Sequence, residues 1–458
     1  MIILSNRGPA TFQRRDDGTF AARRGAGGLV SALTPLLTHA DEPAAWVAAA
    51  LTDDDRAAVR AGASAYDGID VHLLDIDERL ARLHYDTVSN QVLWFLYHGL
   101  FDLVRSPRFG YRFHEAWDAY TAVNRIFADR VVEMAPAGDE VLVQDLHLAL
   151  VPGMLRAARP DLRVVHFTHT PFCGPSSIRV LPYDVGRDLC ASMTSVPCGF
   201  HTRRWADAYA AAARTVLDDD AITGGATFVA SLGPDPDALA ATAGSDEVAR
   251  AAAELEAQVG DRLVIARSDR VEPSKNIVRG FAAYATLLTN APEWRGRVVF
   301  VAMLYASRQA LPEYQAYAQE VTDAAQRVND RYATGDWQPV LLDTRDDFAR
   351  TVAGLQRYDA LLVNPLRDGL NLVAKEGPLV NQHQGVVCLS EEAGAFDELG
   401  DGILPVHPYD LEQTAYALDT ALRMDPAERA ARAERLRARA RARRPSDWLA
   451  DLRAAARA

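Results

Sequence analysis

The sequence predicts an α/β protein with two doubly wound parallel sheets. Short runs that are apolar on successive residues alternate with helical patterns from end to end. Such runs are typical of strands buried on both faces of a parallel sheet. The chain has 458 residues, whereas a single hydrophobic core stops growing near ~250 residues. Alternating strands and helices over this length favour two domains of similar architecture.

The strands are predicted from the apolar runs and the helices from the periodic stretches between them. The clearest helical patterns are His114–Arg130 and Asn276–Leu288, and Asp425-Pro426 predicts a further capped helix start. Asp16-Asp17-Gly18, inside the segment 11–22, predicts a hairpin turn. The predicted strands are Ile2–Leu4, Val141–Val143, Val164–Phe167, Leu263–Ala266, Val298–Met303, Val340–Leu342, Leu361–Val363 and Val386–Leu389.

Glycine and proline near Ser231–Asp246 interrupt the periodic pattern and indicate a domain boundary. Near the C-terminus, Trp448 indicates a helix that docks on the first domain. The expected divisions are an N-terminal domain over 1–240, a C-terminal domain over 241–440 and the docking helix over 441–458.

The composition excludes several classes of function. A net charge of −13 argues against broad nucleic-acid binding. No apolar run approaches the ~20 residues of a membrane helix, and the N-terminal apolar stretch is too short for a signal peptide. We therefore expect a cytoplasmic protein with no membrane partner, and a homo-oligomer stays open. Without a C-x-x-C pair, reduced buried thiols are expected rather than a metal or redox site at Cys173, Cys190, Cys198 and Cys388.

Lysine occurs at only two positions among 49 lysines and arginines, Lys275 and Lys375. Lysine is a compact point charge on a flexible stem, whereas arginine is a rigid fork of donors. Lys275 and Arg270 follow the strand Leu263–Ala266 and precede a helix. Two cations across such a turn can converge on a diphosphate. The alternative is a pair of surface charges.

A second polar motif follows the strand Leu361–Val363 and runs from Asp368 to Glu376. A strand, a glycine turn and a helix leave free backbone N–H groups at the carboxyl edge of a sheet, where an anion such as phosphate is favoured. Glu376 lies about one turn into the predicted helix, where its carboxylate can accept hydrogen bonds from a ribose. The alternative is that Asp368 is only an N-cap and Glu376 only a partner of the helix dipole.

Two glycine-containing motifs, Asn6-Arg7-Gly8 and Gly25-Ala-Gly27-Gly28, flank the predicted hairpin. Their spacing is not G-x-G-x-x-G, so a nicotinamide or flavin site gets little support and no cofactor is expected. Glycines before a helix still let a backbone approach a phosphate closely.

Polar residues also follow the strands of the first half. Asp145 and His147 follow one strand and His169 follows the next, so their side chains are candidates for hydroxyl contacts or proton handling. A structural histidine is the alternative for His169. Tyr85 and Trp94 flank a polar stretch, and periodicity alone favours core packing for both.

Together these motifs resemble trehalose-6-phosphate synthases, retaining glycosyltransferases of the GT-B architecture, which implies two Rossmann-like domains with a cleft between them. The resemblance runs almost end to end. It is carried by Ser5-Asn-Arg7, Tyr85 nine residues before Trp94, Asp145-Leu-His147-Leu, His169-Thr-Pro-Phe, Arg270 with Ser274-Lys275, and the segment from Pro365 to Glu376. It implies an N-terminal acceptor domain and a C-terminal nucleotide-sugar donor domain.

The resemblance also implies site residues. The donor set is Gly27, Gly28, Arg270, Lys275, Gly369, Leu370, Asn371, Leu372, Val373 and Glu376. The acceptor set, for glucose 6-phosphate, is Arg7, Tyr85, Trp94, Asp145 and Arg308, with Trp46 as a further acceptor-side match. The catalytic set is His169, Arg270, Lys275, Asp368 and Asp145.

The implied reaction transfers glucose, with retention, from GDP-glucose or UDP-glucose to glucose 6-phosphate, without a metal. This chain departs from the family pattern at three positions. It has Leu146 where the family usually has tyrosine, Pro273 where tyrosine often precedes Ser274-Lys275, and Asn276 where glycine often follows. The Pro-Ser-Lys-Asn form is similar to the actinobacterial branch, in which GDP-glucose can replace UDP-glucose. The alternatives are a natural-product or pseudo-glycosyltransferase with another phosphorylated acceptor, and an inactive regulatory subunit.

Overall fold

The computed structural model describes residues 1–25, 27–38, 43–62, 65–218 and 226–458. Ala26, in the second glycine motif, lies outside these residues. The chain forms two compact units, one of Met1–Leu232 with Pro445–Ala458 and the other of Gly233–Arg444. The division thus falls a few residues from the expected boundaries, and the last helix belongs to the first unit.

The first unit contains an eight-stranded sheet of order β10-β9-β8-β7-β1-β4-β6-β5. All neighbours pair in parallel except β5 and β6. A separate antiparallel hairpin of β2 and β3 confirms the predicted turn. The strands are β1 Ile2–Leu4, β2 Ala10–Arg14, β3 Phe20–Arg24, β4 Ala45–Ala49, β5 Ala65–Tyr66, β6 Ile69–Leu74, β7 Glu140–Gln144, β8 Arg163–Thr168, β9 Cys198–Phe200 and β10 Thr227–Val229.

Helices connect these strands. A π-helical segment over Leu83–Leu93 lies between the helices Glu78–Arg82 and Trp94–His98. A 3₁₀ turn over Leu146–Leu148 follows β7. The α-helices of this unit are α1 Gly28–Thr38, α2 Asp53–Arg60, α3 Glu78–Arg82, α4 Trp94–His98, α5 Tyr111–Met134, α6 Val151–Ala158, α7 Pro175–Ile178, α8 Tyr183–Thr194, α9 Arg203–Val216 and the C-terminal α19 Pro445–Arg457.

The second unit contains a six-stranded, wholly parallel sheet of order β13-β12-β11-β14-β15-β16. Counted along the unit this is 3-2-1-4-5-6, the strand order of the doubly wound dinucleotide-binding fold. Its central strands are buried on both faces because helices cover them. The strands are β11 Leu263–Arg270, β12 Val298–Tyr305, β13 Val340–Asp343, β14 Ala360–Val363, β15 Val386–Ser390 and β16 Leu404–Val406.

Every predicted strand is present within a few residues, so the predicted α/β class with two doubly wound sheets is confirmed. Asp425 caps α18, as predicted, by accepting from the N–H of Ala427. The second unit has 3₁₀ turns at Pro273–Lys275, Pro292–Trp294 and Gly400–Gly402. The α-helices of the second unit are α10 Pro236–Ala243, α11 Asp246–Val259, α12 Ile277–Asn290, α13 Pro312–Tyr332, α14 Phe348–Arg357, α15 Val373–Val380, α16 Ala395–Leu399, α17 Leu411–Arg423 and α18 Pro426–Arg441.

All four cysteines are buried and free, which confirms the expected reduced thiols. Within the described ranges, no helix combines the length and the apolar character needed to cross a membrane.

Candidate active site

A buried carboxylate organises the loop after β11. Glu272 is fully buried, and its Oε1 lies 3.2 Å from Nη1 of Arg270 and 2.8 Å from Nη1 of Arg308. The hydroxyl of Ser307 also donates to it at 2.8 Å, and Arg308 donates further to Tyr314. The loop therefore aligns two guanidinium groups through one carboxylate.

Charge pairing keeps this carboxylate ionised. Burial alone would raise the pKa of Glu272, but Arg270 and Arg308 outweigh burial and lower it to about 2. We predicted both arginines but assigned no role to Glu272, although it stands inside the same Arg270-to-Lys275 motif. The available signal was a carboxylate two residues after a predicted phosphate ligand.

Lys275 ends the 3₁₀ turn before α12, and its Nζ lies 2.6 Å from Oδ2 of Asp368. Asp368 also accepts from the side chain of Asn371 at 3.1 Å and from the N–H of Leu370 at 3.3 Å. Burial lowers the pKa of Lys275, but Asp368 and Asp269 more than compensate and raise it. The structure thus joins the two motifs that sequence analysis treated separately.

The alternative in which Asp368 is only a helix N-cap is wrong. Helix α15 begins at Val373, and Leu372 occupies the cap position. Asn371 adopts a left-handed backbone with φ 75°, which turns the chain between Asp368 and the helix. The backbone of Gly369 lies so close to Gly394 that a Cβ on Gly394 would collide with the Gly369 carbonyl.

The N-terminus of α15 supplies the next candidate surface. The first N–H groups of a helix favour an anion. Those of Leu372 and Val373 lie at this end, whereas the N–H of Ala374 donates to Oδ1 of Asn371 and that of Lys375 to the carbonyl of Leu372. Glu376 lies one turn into the helix, as predicted. Burial raises the pKa of its carboxyl to about 7. The carboxylate is therefore poised to change charge near neutral pH.

The second lysine has a different environment. Lys375 is 1% exposed, and its Nζ lies 2.7 Å from Oε2 of Glu398. Burial lowers the pKa of Lys375 and Glu398 opposes that shift. Lys375 therefore belongs to the scaffold of this unit, in an ion pair with Glu398.

In the first unit, Asp145 and His169 lie together at the carboxyl ends of β7 and β8. The N–H of His169 donates to Oδ1 of Asp145 at 3.3 Å, and Nδ1 of His147 lies 3.7 Å from Oδ2. Asp145 has a φ of 69°, a strained value for a residue with a side chain. Burial would raise the pKa of Asp145, but His147 and His169 hold it below its usual range.

The imidazole of His169 has further protein partners that sequence analysis missed. Its Nε2 lies 3.0 Å from Oε1 of Gln144 and its Nδ1 lies 3.2 Å from Nε2 of His201. The ring of Trp448, on α19, lies 5.6 Å from the imidazole. Gln144 directly precedes Asp145, so its place at a strand end was a usable signal. The contacts of His201 and Trp448 depend on distant segments.

The predicted acceptor residues of this unit are only partly brought together. Nη2 of Arg7 lies 3.3 Å from the hydroxyl of Tyr85, whose ring stacks on His147 at 5.5 Å. Trp94 is buried in the core and stacks on His98 at 4.1 Å. Tyr85 sits within the π-helical segment, a distortion frequent at functional sites.

A cavity of ≈ 160 Å³ opens beside Arg7. Arg24, the glycines Gly8 and Gly25 and the acidic residue Asp55 also line it, so residues of both charges border this cavity. Trp46 is fully buried and donates to Oγ of Ser5, which in turn donates to the carbonyl of Arg7. Trp46 thus braces the strand end that carries Arg7.

The glycines before α1 have a conformational role. Gly27 has a φ of 120°, which disfavours any side chain, and space around it is open. Gly28 is the first residue of α1.

The chain has two doubly wound Rossmann-like units, with cationic side chains able to bind phosphate at the carboxyl ends of the strands. This arrangement is that of a glycosyltransferase of the GT-B class. The family model described as Glycosyltransferase family 20 matches residues 1–457. The chain belongs to this family, and the resemblance stated from the sequence is confirmed.

Relatives of known description cover the chain almost completely. It is 31% identical over 454 residues to the "Alpha,alpha-trehalose-phosphate synthase [UDP-forming]" of Schizosaccharomyces pombe, covering 95% of this chain and 86% of the relative. A Burkholderia xenovorans α,α-trehalose-phosphate synthase (UDP-forming), solved in complex with glucose-6-phosphate, superposes with a TM-score of 0.85 at 25% identity over 100% of both chains. An Escherichia coli structure described as trehalose-6-phosphate bound with UDP-2-fluoro glucose has a TM-score of 0.83 at 26% identity over 98% of each.

Proposed function

We propose that this protein transfers glucose from a nucleoside diphosphate glucose to glucose 6-phosphate, with retention, to give α,α-trehalose 6-phosphate. The observation that carries the proposal is the cluster of Arg270, Lys275 and Asp368 beside the N-terminus of α15. It gathers two cations and the N–H groups of Leu372 and Val373, as a diphosphate requires.

On the donor side, Arg270 and Lys275 bind the diphosphate. Glu272 holds the guanidinium of Arg270 in place, and Asp368 holds the ammonium of Lys275. The backbone of Gly369, Leu370 and Asn371 faces the transferred glucose together with His169. The amides of Leu372 and Val373, with Gly27 and Gly28, approach the phosphates, and Glu376 accepts hydrogen bonds from the ribose hydroxyls.

On the acceptor side, the phosphate of glucose 6-phosphate binds Arg7 and Tyr85, which already share a hydrogen bond. Trp94 and Arg308 complete the phosphate site in this proposal. Asp145, held ionised by its histidine neighbours, accepts hydrogen bonds from acceptor hydroxyls near the reacting oxygen.

The chemistry follows from these assignments. The bond between the anomeric carbon and the diphosphate breaks as the anomeric hydroxyl of the acceptor forms its bond on the same face. The acceptor proton passes to the departing phosphate oxygen. Arg270 and Lys275 stabilise the negative charge that develops on that phosphate, which is the main catalytic contribution expected of positioned cations.

A donor assay tests the proposal. The protein is incubated with glucose 6-phosphate and either UDP-glucose or GDP-glucose, and the product is identified by mass spectrometry and by the anomeric couplings in proton NMR. Formation of α,α-trehalose 6-phosphate supports the proposal, and the ratio of kcat/KM for the two donors assigns the base. Absence of product with both donors overturns it. Transfer only to a different phosphorylated sugar or cyclitol would keep the assignment as a glycosyltransferase but show that glucose 6-phosphate is not the acceptor.

A further inference from the structure

The ring of His169 contacts three groups that sequence analysis did not place beside it. Gln144 faces Nε2 and His201 faces Nδ1, at 3.0 and 3.2 Å. Trp448 packs against the ring at 5.6 Å with an interplanar angle of 50°. His169 therefore has little freedom to rotate, and each ring nitrogen has a defined neighbour.

These neighbours assign the proton positions. A backbone N–H can only donate, and that of Leu232 points at Nδ1 of His201. Nδ1 of His201 therefore carries no proton, and Nε2–H of the same ring donates to Nδ1 of His169. His169 then carries its own proton on Nε2 and donates it to Oε1 of Gln144. The assignment follows from the hydrogen-bond network.

The third contact of the ring comes from the C-terminal helix. Trp448 is fully buried and also meets Phe167 edge-on at 5.2 Å. Helix α19 is fastened to the sheet by Arg453 and Arg457, which both bind the carboxylate of Glu140 on β7. The helix thus presses one indole against the strand end that carries His169.

We propose that His201 and Trp448 are positioning residues that hold His169 in its Nε2-protonated form and in one ring orientation. This inference rests on the proposed function insofar as His169 contacts the transferred glucose. Both ring nitrogens bind protein groups, so the fixed ring presents one unchanged C–H edge to the sugar and needs no reorganisation at the moment of reaction.

Two substitutions at position 201 separate positioning from folding. In His201→Gln the side-chain amide N–H replaces Nε2–H, whereas His201→Asn keeps only an acceptor near Leu232. We expect His201→Asn to lower kcat by about tenfold, since small misplacements near the reacting centre are costly. The KM for glucose 6-phosphate should stay near that of the wild type. His201→Gln should recover most of the rate. His72→Asn is the matched control, because His72 lies on β6, where it bonds to Asp70 of the same strand and to Arg130 of α5.

Trp448 is tested in parallel. Trp448→Phe keeps an aromatic ring and should retain most activity. Trp448→Ala should lower kcat by more than its lower melting temperature would explain. A loss that follows only the folded fraction, measured by circular dichroism, would contradict a positioning role for the indole.

A readout without substrate keeps this inference separate from the proposed function. Long-range ¹H–¹⁵N spectra of histidine-labelled protein report the tautomer of each ring, and the His169 signals are assigned by their loss in His169→Gln. The expected pattern is Nε2–H for His169 in the wild type and in His201→Gln, with a mixture of tautomers in His201→Asn. An Nδ1–H pattern in the wild type, or equal kcat in the two position-201 variants, overturns the inference. An Nε2–H pattern in a protein that forms no disaccharide phosphate overturns the proposed function alone.

Discussion

Nζ of Lys275 lies 2.6 Å from Oδ2 of Asp368, a residue 93 positions further along the chain. The contact joins the loop after β11 to the loop after β14, which are neighbouring strands of one sheet. A parallel sheet brings the carboxyl ends of its strands to the same edge, so two motifs far apart in sequence form one charged cluster.

Removing this ammonium should abolish most turnover. We expect Lys275→Ala to lower kcat by about 10²-fold or more, since losing one group that stabilises developing charge typically has that effect. Lys275→Arg should rescue only weakly because a planar fork cannot occupy the place of a point charge. Initial rates at saturating donor and acceptor measure this, with circular dichroism as the fold control. Near-normal turnover of Lys275→Ala would remove the diphosphate role.

The other lysine should act on stability instead. Lys375→Met leaves Glu398 without its buried partner, and we expect a loss of about 2 kcal/mol in the free energy of unfolding. The double variant Lys375→Met with Glu398→Leu should recover part of that loss. Urea denaturation measures both, and kcat per folded molecule should stay near that of the wild type. A stable Lys375→Met protein with impaired turnover would contradict the scaffold interpretation.

Neutralising Glu272 should lower stability in a pH-dependent way. The pKa of Glu272 lies at about 2 in the folded protein, below its ordinary value of 4.5. The contribution of the ionised Glu272 carboxylate to the free energy of unfolding is therefore fully present above pH 4.5 and is lost as the pH falls toward 2. The difference in unfolding free energy between the wild type and Glu272→Gln should shrink as the pH falls below 4.5. Glu434→Gln, at an exposed carboxylate, is the control. A pH-independent difference would show that the two arginines do not depend on the charge of Glu272.

Donor binding should depend on the charge of Glu376. Burial raises the pKa of this carboxyl to about 7, so it is protonated below and ionised above that pH. Ribose hydroxyls donate to a carboxylate more strongly than to a neutral acid, so affinity for the nucleotide sugar should rise as the pH increases through 7. Glu376→Gln should flatten this profile. Isothermal titration with an intact nucleotide sugar measures it, because its esterified diphosphate does not titrate near neutral pH.

The acceptor phosphate should depend on Arg7. We expect Arg7→Met to raise the KM for glucose 6-phosphate by about tenfold or more, because a guanidinium–phosphate contact is charge-assisted. The KM for the donor should change much less. Arg23→Met, at an exposed arginine of strand β3, controls for lost charge. If unphosphorylated glucose, tested as an alternative acceptor, suffered the same loss, the assignment to the phosphate would be wrong.

The sequence by itself determined the fold class, the order of strands and helices and the family. Successive apolar residues identified strands such as β12 and β15 because those strands are covered on both faces. Motifs such as the one from Asp368 to Glu376 were recognisable because their residues are contiguous. The same contiguity located Arg270, Lys275 and Glu376 at strand and helix ends.

Only the tertiary structure decided which of these residues form ion pairs with one another. Glu272 stood inside a quoted motif, yet its value as the common partner of Arg270 and Arg308 depends on the chain placing Arg308 after β12. His201 and Trp448 reach His169 from β9 and from the last helix. Pairing across such separations is set by sheet order and helix docking, which no local pattern of residue types encodes.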